Sequence, residues 1–277
     1  MRNTWAVCKR EFVSYFITPV GYVVVGVFAL ISGLGFAASF MGYARATQAP
    51  SAYGYVGVPD FEETLLSPFL VFCGLLIMFI GPLITMRLLA EEKNRGTAEL
   101  LLTHPLRNRE IVFGKYFAAL GMLLVMMGVV SIQMAVVWYF VPHVELVVLG
   151  FGVVTVFLMG AAFLSMGLFV SSITRNQVTA GTATFGLWFA SYVLGSLSRD
   201  LPEAIALPET WAGWAERAAH FGYSVFRALA TELPLDVHAQ EMAQGVFQPE
   251  DIAYYLLFAA FWLFMTLRVL ETRLWRA

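Results

Sequence analysis

Charge is scarce in this sequence. Asp, Glu, Lys and Arg make up 13% of the 277 residues and hydrophobic residues 59%, whereas a soluble domain of ordinary composition carries about 25% charged residues. With a mean hydropathy of +0.73, this shortage excludes an ordinary soluble domain and implies a polytopic membrane protein. The net charge is −2, so there is no basic domain of the kind nucleic acid requires, and no nucleic-acid partner is expected. Cysteine is nearly missing: Cys8 and Cys73 stand far apart, without CxxC or metal-ligand spacing. His104, His143, His220 and His238 show no HExxH or other ligand spacing. No metal site and no catalytic constellation is expected. A GxxxxGK[ST] phosphate loop is missing too, because Arg109, not glycine, stands five residues before Gly114-Lys115. The chain is therefore expected to be non-catalytic and to bind no cofactor itself; if ATP is used, another chain binds it. The opening MRNTWAVCKREF interleaves polar groups and precedes no small-residue cleavage site, so no signal peptide is expected.

Long apolar runs are what the sequence has in abundance. Six stretches meet the length of about 20 residues that a helix needs to cross a hydrocarbon core, at about 18–41, 65–86, 116–141, 146–172, 177–198 and 252–270. The first five contain no Asp, Glu, Lys or Arg, which argues against an ion-coupled pathway through them. Gln133 is their most polar deep side chain and is expected to make an interhelical hydrogen bond. An even number of spans places both termini on one side. Of the 17 basic residues, 13 fall in the N-terminal segment, residues 87–115, the turn at 173–176 and the C-terminus. The other side holds only Arg45, Arg199, Arg217 and Arg227. The positive-inside rule then makes both termini cytoplasmic.

The one dense patch of charge is Arg87–Lys115, RLLAEEKNRGTAELLLTHPLRNREIVFGK, with 6 of the 17 basic and 4 of the 19 acidic residues. Glu91 to Thr103 has helix-forming composition. Glu92, Arg95 and Glu99 fall at i, i+3 and i+7 as a polar stripe, and Leu88, Leu89, Leu101 and Leu102 offer apolar anchors. Gly96 can bend the helix, His104-Pro105 stops it, and Asn108 is the expected cap of the next one. Two readings stay open: a solvated loop, or a stiff interfacial helix that a soluble domain grips. Upstream, Trp5, Cys8, Phe12 and Tyr15 share a helical face, predicting an interfacial helix over 4–17 ended by Thr18-Pro19; an ordinary start to the first span is the alternative. In the outer segment 199–251, Pro208-Glu209-Thr210 is a helix-start signal. Trp211, Trp214, Ala218, Phe221, Val225 and Leu229 follow near helical spacing, predicting one or two amphipathic helices on the outer leaflet. Gly33 with Ala37, and Thr182 with Gly186, are small-xxx-small pairs that serve either internal packing or a dimer seam.

Several fixed positions carry a resemblance. Glu92-Lys-Asn-Arg-Gly-Thr-Ala-Glu99, Leu-Leu-Leu-Thr-His-Pro105, Arg109-Glu110-Ile111 and Gly114-Lys115 resemble the signature of ABC-2-type transporter permeases. Lys9-Arg-Glu-Phe12, Tyr15-Phe-Ile-Thr-Pro19, Phe247–Asp251, Tyr254-Tyr-Leu256 and Leu270-Glu-Thr-Arg273-Leu-Trp275 resemble its gliding-motility-type (GldF-like) branch, from which the Trp-bearing stretch 200–240 departs. The resemblance implies an all-α polytopic membrane protein with six transmembrane helices, an ABC-2 (type V exporter-like) permease fold, forming a single permease domain over 1–277. It implies an elbow helix at 4–17 and a coupling helix at 91–104 that docks on a separate ABC ATPase, with Glu91, Glu92, Arg95, Gly96, Thr97, Glu99 and Pro105 as the coupling residues. ATP and Mg would sit on that partner. A second permease half would pair along spans 1 and 5 at Gly33, Ala37, Thr182 and Gly186, as a homodimer or as a heterodimer with a permease carrying an auxiliary domain. The location implied is the bacterial cytoplasmic (inner) membrane, among lipid. The implied function is export or movement of a substrate across that membrane; the alternative is a mechanical component of an envelope or gliding machine, driving an outer partner protein without a translocated substrate.

Overall fold

The computed structural model describes residues 2–54, 57, 59–94, 107–141, 145–198, 201–202, 213–235, 238 and 248–274. Among these the chain is all helical. In order the α-helices are α1 (Arg2–Ile17), α2 (Val20–Gln48), α3 (Ser67–Thr85), α4 (Ala90–Asn94), α5 (Asn108–Phe140), α6 (Leu146–Ile173), α7 (Gln177–Ser198), α8 (Gly213–Glu232) and α9 (Pro249–Leu274). A 3₁₀ turn at Pro50–Tyr53 follows α2, and one π-helical turn at Glu62–Leu66 leads into α3.

Among the described residues five helical stretches are long and apolar enough to cross a membrane: Val20–Gln48, Glu62–Asn94, Asn108–Phe140, Leu146–Ile173 and Pro249–Thr272. The sequence led to an expectation of six. Helix α7 covers the stretch expected for the fifth span and its 22 residues are enough to cross, but glycine, threonine and serine recur along it and thin its hydrocarbon, so it stands outside these five. One boundary also differs. Helix α2 runs on to Gln48 rather than ending near 41, because nothing breaks it before Ala49-Pro50. Helix α5 begins at Asn108, ahead of the span expected from 116, so its first two turns carry the charged end of the 87–115 segment.

Helix α6 is the centre of the bundle, packed against α3, α5, α7 and α9. Its residues from Met159 to Leu168 are buried on every side, as expected of a helix apolar all round. Helices in lipid gain no hydrophobic drive from each other, so close packing must hold them. Glycine supplies the closeness. A Cβ added at Gly167 would lie 2.5–2.8 Å from the Thr85 side chain of α3, and one at Gly160 would lie 2.9 Å from Leu123 of α5. Polar joints are few. Gln133 Nε2 donates to Ser32 Oγ at 3.2 Å and joins α5 to α2, the interhelical bond expected for it.

Helix α1 lies along α5, with Val7, Cys8 and Tyr15 buried. Of the four residues read onto one helical face, Cys8, Phe12 and Tyr15 pack on the bundle, but Trp5 does not and is 70% exposed. Val7 takes the inward position because Gly114 leaves it room: a Cβ at Gly114 would lie 2.7 Å from Val7 Cβ. Helix α8 packs on α7 through Ala230, with Tyr223 and Arg227 half-buried. It turns Trp214, Phe221, Val225 and Leu229 outward, with Trp214 73% exposed. Those four belong to the apolar face read from the sequence; Thr210 and Trp211 lie outside the described residues.

Candidate coupling site

Helix α3 carries Pro82 in its last turns, and the chain leaves it through a turn at 86–89 before re-entering helix at α4. Proline removes one backbone donor from the ladder, and Thr85 Oγ1 donates back to the Gly81 carbonyl at 3.3 Å. A fresh helix start exposes N–H groups that need acceptors. A residue from another helix supplies one: Ser171 Oγ of α6 accepts from Leu89 N–H at 3.1 Å and from Ala90 N–H at 3.0 Å, and donates to the Met86 carbonyl at 3.4 Å. The favour is returned at the end of α6. Lys93 Nζ donates to the carbonyls of Ser171 and Thr174, at 3.3 and 3.2 Å, and also to that of Ser172. A cation there satisfies last-turn carbonyls and complements the negative end of the helix dipole. These bonds lock the 86–93 segment onto the C-terminal end of α6.

A cluster of four charges ties the same segment to two further helices. Glu92 lies 2.9 Å from Lys115 Nζ of α5 and 3.5 Å from Arg10 of α1. Glu11 of α1 lies 3.1 Å from Lys115 and 2.8 Å from Arg10. The Lys115 side chain is only 1% exposed. Burying an ammonium is costly without partners, and here two carboxylates supply them. Burial works to raise the Glu11 carboxyl, but the charges and hydrogen bonds of Lys115 and Arg10 outweigh it and hold the group below its usual range. Glu91 pairs with Arg87 at 3.0 Å. Tyr15 of α1 donates to the Ile84 carbonyl at 3.3 Å, and Asn3 donates to both Glu110 oxygens at 3.2 and 3.3 Å.

Of the residues expected to couple, Glu91 and Glu92 are therefore seen at this junction, both in ion pairs within the chain. Arg95, Gly96, Thr97, Glu99 and Pro105 lie outside the described residues. Asn108 is not the cap expected of it but the first helical residue. Arg107 caps α5 with extended backbone, and its N–H donates to the Glu110 carboxylate at 3.1 Å, half of a capping box. Of the small residues read as packing or seam, Gly33 is half-buried while Ala37, Thr182 and Gly186 are exposed. A Cβ at Gly186 would meet nothing within 4 Å. The sequence reading met Arg10, Glu11, Lys93 and Lys115 only as members of motifs and gave none of them a coupling role, and it did not mention Ser171. Lys115 carried a further signal: a lysine entering an apolar helix needs a buried partner.

In this arrangement one short element, α4, is held by ion pairs or hydrogen bonds to α1, α5 and α6. Comparison with known proteins assigns the class. The model of the ABC-2 family transporter proteins matches residues 5–272. The chain belongs to this family and is a membrane permease subunit of an ABC transporter. Among curated proteins it is similar to the probable ABC transporter permease protein NosY of Pseudomonas aeruginosa, with 28% identity over 208 residues, spanning 72% of this chain and 70% of that one.

Proposed function

We propose that this permease receives the stroke of a separate ABC ATPase through segment 91–104 and converts it into export or movement of a substrate across the bacterial inner membrane. One observation carries the reading. Glu92 is bound to both α1 and α5 while the next residue, Lys93, grips the end of α6, so a push on α4 reaches three helices together. The partner binds ATP and Mg, and this chain supplies no catalytic group. Helix α7 serves as the sixth crossing, which returns the chain to the cytoplasm and places both termini there. A second permease half packs on α2 and α7, where Ala37, Thr182 and Gly186 leave small, exposed surfaces for close approach. Assignment to the gliding-motility-type branch rests on the motifs at the two ends of the chain.

The test is reconstitution with the cognate ATPase. Glu92→Lys and Glu99→Lys are expected to lower permease-dependent ATPase activity at least tenfold while the chain still inserts. Unaltered stimulation and co-purification in both variants would contradict the assignment. Stimulation by lipid or a small solute supports a translocated substrate; stimulation only by an outer protein supports mechanical work.

A further inference from the structure

At the end of the bundle away from α4 lies a cleft between α3, α6 and α7, closed on one side by Leu235, with an empty volume of about 560 Å³ counting its open side. Its α3 and α6 walls are mostly hydrocarbon and thioether: Leu70, Met78 and Met159 line it, Gly74 widens it, and the one hydroxyl on these walls, Thr155, donates to the Phe151 carbonyl at 2.9 Å. A Cβ at Gly74 would lie 2.2 Å from the Met159 methyl, so any side chain there pushes Met159 into the cleft. The α7 wall differs. Trp188, Ser191 and Tyr192 fall at i, i+3 and i+4 and line the cleft together, so three hydrogen-bonding side chains share one helical face. The Trp188 ring packs against Phe163 with centroids 4.6 Å apart and planes tilted by 34°. Its indole N–H is buried without a hydrogen-bond partner. A buried donor left without an acceptor costs free energy until one is supplied. Among the described residues no Asp, Glu, Lys or Arg lines the cleft, so a charged ligand finds no partner there to offset its lost hydration.

We propose that this cleft binds an uncharged amphiphile of lipid character, its hydrocarbon body against α3 and α6 and an acceptor oxygen toward the α7 face, where Trp188 donates to it. Met78 and Met159 adapt to chains of different shape. The site is remote from the α4 junction, and its occupancy does not depend on the ATPase reading of that junction. It is measured on the permease alone.

The experiment uses the full chain in phosphatidylcholine nanodiscs with a diazirine-bearing methyl palmitate as probe, and maps the photolabelled peptides. Saturable labelling is expected within 70–78 and 188–192, displaced by methyl palmitate but not by hexadecyl sulfonate. Trp188→Phe keeps the ring packing and should weaken the saturable component about tenfold, the scale of one hydrogen bond. Gly74→Leu should remove it, while non-saturable labelling of the exposed α5 residues Leu124 and Ile132 persists. Persistence of that background together with unchanged helix content shows the variant is folded. Labelling that never saturates, equal displacement by the sulfonate, or a Trp188→Phe variant with unaltered affinity overturns the assignment.

Discussion

The two ends of the bundle are stitched differently. At the α4 end, four charges close a circuit through α1, α4 and α5, and Ser171 and Lys93 knot α4 to α6. At the α8 end, neutral groups do most of the work. Tyr254 and Tyr255 of α9 donate to the Leu233 and Leu235 carbonyls, both at 2.7 Å. His238 adds a contact of 2.7 Å to Asp251 and stacks on Tyr254 with ring centroids 4.1 Å apart. The α8 end also turns a tryptophan and a phenylalanine outward, with Phe221 71% exposed. Charge circuits suit an end that meets a water-soluble partner and must move as one body. Hydroxyl-to-carbonyl bonds and exposed aromatics suit an end bathed in lipid and its interface. The contrast fits a machine that is pushed at one end and responds at the other.

Substitutions at each end can break this contrast. Lys115→Met has the largest expected effect. Removing one partner of a buried ion cluster typically costs about 3–5 kcal/mol, and here it leaves Glu11 and Glu92 facing each other with only Arg10. Thermal unfolding in detergent should show a drop of that scale, with part of it recovered by Glu92→Gln in the same chain. Ser171→Ala comes next. It strips acceptors from two N–H groups at the start of α4, for about 1–2 kcal/mol, and should lower coupled ATPase activity more than it lowers the melting temperature. Tyr255→Phe at the other end should cost about 1 kcal/mol, read by the same unfolding assay, and leave coupling to the ATPase unaltered.

The smallest effect is one of pH. The Glu11 carboxyl is held lower in the folded chain than its usual value, so its stabilisation is complete above the ordinary carboxylate range, near about 4.3. It is lost as pH falls from there through the lowered folded value. The melting temperature should fall over that interval, and more shallowly in Glu11→Gln. An equal slope in both chains would show that Glu11 is not the group titrating.

Where sequence signals were local, they were legible. The bounds of α7 follow from Thr174-Arg175-Asn176 before it and Arg199-Asp200 after it. The outward face of α8 follows from the spacing of Trp214, Phe221, Val225 and Leu229. The charge circuit was not legible, because Lys115 and Glu11 are 104 positions apart and no local pattern marks their meeting. Glu92 illustrates the limit: its place in a polar stripe pointed to a water-facing docking contact, and its carboxylate instead faces Lys115 and Arg10. Trp5 was read onto one helical face with Cys8, Phe12 and Tyr15 by period alone, yet it is exposed where they are not. The space left by Gly114, which favours Val7, depends on how α1 crosses α5.

The most direct measurement is ATPase activity of the reconstituted complex carrying Glu99→Lys, beside Tyr255→Phe at the far end. If segment 91–104 is the docking element, Glu99→Lys loses permease-dependent stimulation and no longer co-purifies with the ATPase, while Tyr255→Phe retains both. Full stimulation and intact co-purification with Glu99→Lys would place the docking surface elsewhere and contradict the account.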